Sequence, residues 1–235
     1  MTPNPTIPPP DLMRALGRLI RGLSALFWGM PLALLACVHV GLKNRLEVQS
    51  YDFLLPTACT ALLLYGVHLL GDFQRQEQIW MEAIDRAKML AMVLVGLSPF
   101  VYWRVQAPDV TVFELAVMLF AVFGLLFLYC MNHVLQRLVA MLPDETLRAE
   151  TRFFSHLNQY LLAAIPITIT ILAAVISLSK QGLLPRTILK ALSQSETVHH
   201  LFFLFLTLVP VAMTMALIWK TKEVVFHAVF GGGKS

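Results

Sequence analysis

Seven histidines and three cysteines are the residues of this 235-residue chain best equipped for chemistry. His68 and His133 fall near the same end of two apolar runs that travel in the same direction. Imidazoles on two such helices could clamp a haem iron from both faces, as in membrane b-type cytochromes. Gly66 and Gly71 would supply some of the room a porphyrin needs. Towards the opposite end, His39, Glu196, His199 and His200 could converge on a metal. Glu196 and His199 have the i, i+3 spacing of carboxylate metal sites, but such sites use the pattern twice and this chain has one copy. Each set also has a plainer reading: histidines hydrogen-bonded near lipid headgroups in the first case, a polar helix cap in the second.

Cys37, Cys59 and Cys130 all lie inside apolar runs, with no CxxC and an odd total, which argues against a disulfide framework. They read as small buried hydrophobes, with Cys37 and Cys59 at depths where they could meet. Leu34-Leu35-Ala36-Cys37 resembles a lipobox after a basic segment. The apolar run continues well past Cys37, however, so an uncleaved first span is favoured. There is no GxSxG, HExxH, phosphate loop, dinucleotide fingerprint or carboxylate pair. The terminal Gly231-Gly232-Gly233-Lys234-Ser235 lacks the first glycine, the strand and the following helix of a phosphate loop. The sequence therefore predicts a protein that is not an enzyme.

The elements that carry these residues are set by composition. The chain is 57% hydrophobic and 14% charged, with a mean hydropathy of +0.70. Those values fit a bilayer, where a helical span takes roughly 20 apolar residues. Six apolar stretches, at about 22–42, 53–71, 88–104, 110–134, 159–178 and 200–219, predict an all-α polytopic bundle of six transmembrane helices. They leave no room for a separate soluble domain. Residues 1–10, with five prolines, read as a flexible tail, as does 231–235, with the transmembrane domain filling 11–230.

Amphipathic segments precede the odd-numbered spans. Leu12, Leu16, Leu19 and Leu23 recur at helical spacing after an N-cap candidate at Asp11, with Arg14, Arg18 and Arg21 on another face. Phe73, Trp80, Ile84 and Ala87 form a second stripe, with Arg75, Glu82, Asp85 and Arg86 elsewhere. Leu147, Phe154 and Leu161 form a third, after a helix start at Pro143-Asp144-Glu145. These segments are expected to lie as interfacial helices on the cytoplasmic face, and a further short helix is expected at Pro185–Ser193.

Charge counting orients the array. With the N-terminus inside, twelve basic residues fall on inner segments: Arg14, Arg18, Arg21, Arg75, Arg86, Lys88, Arg137, Arg148, Arg152, Lys220, Lys222 and Lys234. Six fall outside: Lys43, Arg45, Arg104, Lys180, Arg186 and Lys190. Both termini are therefore expected in the cytoplasm, with the protein in a plasma or inner membrane. This distribution explains the net charge of +4 better than nucleic-acid binding, because no basic strip is interleaved with aromatics.

The span prolines Pro31, Pro99, Pro166 and Pro210 predict kinks, and spacings of 68 and 67 between the first three hint at a hairpin used three times. Mid-span ionisable groups, the usual mark of ion paths, are absent from the sequence. The leading expectation is a non-catalytic subunit, scaffold or assembly factor of a membrane complex, with no cofactor. Its partners would be the lipid bilayer and other membrane proteins or further copies of itself. A small transporter or channel lined by span prolines and threonines is the second reading. A haem- or metal-binding redox protein using His68 and His133 is the third.

Overall fold

A computed structural model describes residues 10–42, 51–74, 76–141, 145–180 and 196–230. Among these it contains helices and turns and no strand: α1 (Pro10–Leu42), α2 (Leu54–Leu70), α3 (Gln78–Leu97), α4 (Pro99–Gln106), α5 (Thr111–Ala140), α6 (Glu145–Lys180) and α7 (Glu196–Phe230). The two tails (except Pro10), Pro143-Asp144 and the helix expected at Pro185–Ser193 lie outside the described residues.

α3 and α4 are one rod with a joint. Ser98 keeps a helical φ of −58° and ψ of −34°, and its N–H still donates to the Leu94 carbonyl at 2.9 Å. Pro99 has no N–H to give, so the ladder breaks there and Val101 bonds back to Ser98 at 3.2 Å instead. The buried Ser98 hydroxyl lies 3.1 Å from Thr57 Oγ1, fastening the joint to α2.

The rods close into a ring in which α1 packs on α2, α2 on α3, α3 on α5, α5 on α6, α6 on α7 and α7 back on α1. α5 also touches α7 across the centre. Glycine makes the α1–α2 contact possible. A Cβ on Gly22 would stand 2.9 Å from the Gly66 carbonyl oxygen, and one on Gly29 would stand 2.8 Å from Leu63 Cδ2. Such small-residue crossings are how helices approach closely in membranes.

Three helices among the described residues are long and apolar enough to cross a membrane: Met13–Gly41, Thr111–Ala140 and Phe205–Phe226. Six were expected. α2 is apolar but has 17 residues, and the first half of the α3–α4 rod carries Glu82, Asp85, Arg86 and Lys88. The surface fits the same medium: Trp28, Leu35, Val112, Leu115, Met118 and Tyr160 are among many large apolar side chains left exposed.

The amphipathic segments are not separate interfacial helices. Each is the first part of a longer helix, in α1, α3 and α6. No breaker separates segment from span, and at 1.5 Å per residue the 33 residues of α1 reach about 50 Å, well beyond ~30 Å of hydrocarbon. The surplus carries charge, so one end of the bundle is basic, with Arg14, Arg18, Arg21, Arg86, Arg137, Arg148, Arg152, Lys220 and Lys222 all in the helix portions that meet there. Packing is also densest towards that end, where Leu19, Leu23, Leu70, Trp80, Ile84, Leu135, Leu138 and Ile218 are fully buried. A smaller cluster at the other end gathers around Val40, Val101 and Tyr102.

Two devices hold the basic end. Trp80 is completely buried, donates its indole N–H to the Phe73 carbonyl at 2.8 Å and meets the Phe73 ring edge-on, which fixes the α2–α3 turn. Arg18 then bridges α1 to that turn through Asp72 at 2.6 Å.

Candidate functional site

Among the described side chains of α6 the buried positions are Thr151, Ser155, Asn158, Leu162 and Ile165, one every three or four residues, so they form a single stripe. Its basic-end half is polar. The aromatic and aliphatic residues of the same stretch, Phe153, Phe154, Leu157 and Tyr160, are exposed. Phe154, on the apolar face that the sequence marks, points outward, and this part of the helix is inverted relative to a water-soluble one. Such an arrangement is compatible with a membrane, where apolar side chains can face outward and polar ones gain by bonding across helices.

The partners come from α5 and α7. Asn132 of α5 donates from Nδ2 to Thr214 Oγ1 of α7 at 3.1 Å and to the Leu128 carbonyl at 2.8 Å. Asn158 of α6 donates to the same hydroxyl at 2.8 Å and lies 3.3 Å from the Pro210 carbonyl. Thr214 donates its own proton to the Pro210 carbonyl at 2.8 Å. Ser155 adds a 3.4 Å bond to the Asn132 carbonyl. One threonine hydroxyl therefore ties three helices together, and Asn132, Ser155, Asn158 and Thr214 are all fully buried. The seam is not saturated. Oδ1 of Asn132, Oδ1 of Asn158, the Thr151 hydroxyl and Gln136 Nε2 are buried with no hydrogen-bond partner.

The span threonines serve their own helices. Thr60 bonds to the Pro56 carbonyl at 2.9 Å, Thr170 to Pro166 at 2.7 Å and Thr214 to Pro210 at 2.8 Å, a Pro-x-x-x-Thr arrangement used three times. Thr57 and Thr168 bond back in the same way without a proline. Back-bonding of this kind bends helices slightly and satisfies the hydroxyl internally.

Sequence reasoning placed chemistry elsewhere. His68 is exposed on α2, whereas His133 is half-buried and lines a cavity between α5 and α6, and α3 packs on both α2 and α5. Gly66 is occupied by the α1 crossing instead of facing an open slot. His39 is exposed in the last turn of α1. Glu196, His199 and His200 sit in the first turns of α7, and their side chains are outside the described set. Among the described residues no three His, Cys, Asp or Glu side chains come together as metal ligands. Cys37, Cys59 and Cys130 are free thiols, the first two on the paired helices α1 and α2.

The asparagines of the seam were missed because Asn132 is a single uncharged residue inside an apolar run and Asn158 is one of several polar residues just before the fifth stretch. The signal that could have found them is periodic: Thr151, Ser155 and Asn158 share one helical face. Beyond the basic end of the seam, His133, Arg137, Arg148 and Arg152 surround a small cavity. No family model, curated protein or solved structure matches this chain.

Proposed function

We propose that the chain is a six-span subunit or scaffold of a membrane assembly, without catalysis of its own. Both termini then lie in the cytoplasm, and the protein resides in a plasma or inner membrane. The observation that carries this reading is the first half of α5. Between Thr111 and Leu126 only Ala116 is buried, so this helix stands at the rim of the bundle with Val112, Leu115, Met118, Leu119 and Val122 turned away from it. A helix so little packed against its own chain is a natural seat for a neighbouring transmembrane helix.

The seam supports the same reading against a carrier. Alternating access needs one group of helices to move against another. Here α5, α6 and α7 share a buried hydroxyl that would have to be released and re-formed at each cycle. A scaffold benefits from that rigidity. The basic end supports the orientation, since Lys and Arg are retained on the cytoplasmic side.

The test places a photo-crosslinking residue at Met118 or Val122 in native membranes and identifies the adducts. A second membrane protein, or a second copy, in a discrete adduct is the expected result. Adducts with lipid alone, together with a lone species that carries solute into proteoliposomes, would replace the subunit reading with the transporter. Reporter fusions at each end test the topology separately. Both should report the cytoplasm, and opposite locations would rule out an even number of spans.

A further inference from the structure

A cavity of about 190 Å³ lies between the end of α5 and the start of α6. At ~30 Å³ per water it holds about six waters. It is therefore small beside the roughly 300–1,000 Å³ of drug-sized pockets and suits one phosphoryl group with its ester arm.

Its wall is cationic. Arg137 comes from the last turn of α5, and Arg148 and Arg152, four residues apart, share one face of α6. His156 continues that face one turn on, and none of the described residues lining the cavity is acidic. Of the nearby acids on α6, Glu150 is held by Lys220 of α7 and Glu145 is exposed in the first turn. Arg148 donates to the Ala140 carbonyl at 3.3 Å, which closes the end of α5 and anchors that guanidinium at the site.

Two neutral groups complete the wall. The Thr151 hydroxyl is 1% exposed and unpartnered, and Gln136 Nε2 is likewise buried without an acceptor. Three guanidiniums around so small a volume repel one another, and the two orphaned groups carry a desolvation cost. An anion with several acceptor oxygens offsets both.

We propose that this cavity binds a phosphate-bearing anion. An anionic lipid is the source the surroundings favour, because the exposed Phe153, Phe154 and Leu157 border Arg152 and His156 on α6. A headgroup phosphate in the cavity would leave its acyl chains against those side chains, the arrangement of basic lipid pockets at the cytoplasmic ends of membrane helices. The proposal is independent of the scaffold role, and only its lipid arm depends on the chain being in a membrane.

The test titrates purified full-length protein, in uncharged detergent, with dioctanoyl phosphatidylglycerol, dioctanoyl phosphatidylcholine or inorganic phosphate. Binding is read by native mass spectrometry and thermal unfolding. Phosphatidylglycerol should bind one-to-one and raise the melting temperature, and phosphatidylcholine should not. The double variant Arg137→Gln/Arg152→Gln should bind roughly thirtyfold more weakly. Arg14→Gln, which removes an exposed arginine at the same end but on α1, should bind like the parent. Thr151→Val, which leaves the charge intact, should also weaken binding. If inorganic phosphate binds with the same sensitivity to these variants and phosphatidylglycerol does not, the anion is a free phosphate and the site stands. Binding of neither ligand, equal binding of phosphatidylcholine, or a double variant that binds like the parent would each overturn the proposal.

Discussion

Thr214 joins three helices through one side chain, because its oxygen accepts from Asn132 and Asn158 and donates to Pro210. Interhelical hydrogen bonds in membrane proteins average about 0.6 kcal/mol and reach about 1.7, so replacing this hydroxyl by a methyl should cost roughly 1–2 kcal/mol. For a chain of this size Thr214→Val should then melt about 2–8 °C lower in detergent. Thr214→Ser keeps the oxygen and should stay close to the parent. Similar melting of the Val and Ser variants would mean that the seam contributes nothing. The single His and Cys residues that stood out in the sequence are chemically louder than an asparagine. Reactivity is readable from residue type, whereas the meeting of Asn132, Asn158 and Thr214 depends on which helices are neighbours.

Among the elements, α1 and α2 meet through glycine. A side chain at Gly22 would press on Leu70 Cδ1 and on the Gly66 carbonyl oxygen, the latter at 2.9 Å. Backbone cannot step aside as a leucine tip can, so Gly22→Val should destabilise by about 1–3 kcal/mol through overpacking. At Gly17, on the same helix, an added methyl would meet nothing within 4 Å, so Gly17→Ala should be neutral or stabilise by up to about 1 kcal/mol through helix propensity. Thermal unfolding of the two variants side by side separates crossing geometry from propensity. Periodicity is a good guide to α3 and the turn before it, where Phe73, Trp80, Ile84 and Ala87 are all buried as their spacing predicts. In α6 the arrangement is the reverse, with Phe154 exposed and Ser155 buried. The same 3.6-residue period describes both helices. What differs is the type of side chain on the buried face, apolar in α3 and polar in the first part of α6.

For the molecule as a whole, the described residues form six helical rods in a closed ring, and α3 with α4 count as one rod because Ser98 remains helical. Three of the rods have the length and apolarity of a membrane span. The concentration of arginine and lysine at one end was legible from charge counting. The cavity there was not, since Arg137, Arg148 and Arg152 come together only when α5 and α6 pack. The seam also has a bearing on biosynthesis. Asn158 and Thr214 are 56 residues apart, so at about 5–20 residues per second the ribosome needs roughly 3–11 seconds to supply the partner after making the amide. During that interval the Asn158 amide lacks its Thr214 partner, a state that would invite a holding chaperone or a protease. A chain stopped at residue 195 should therefore be degraded faster in pulse-chase labelling than the full-length protein, and Asn158→Leu within the truncated chain should prolong its life. On this account α7, by supplying Thr214, would release the nascent chain from surveillance.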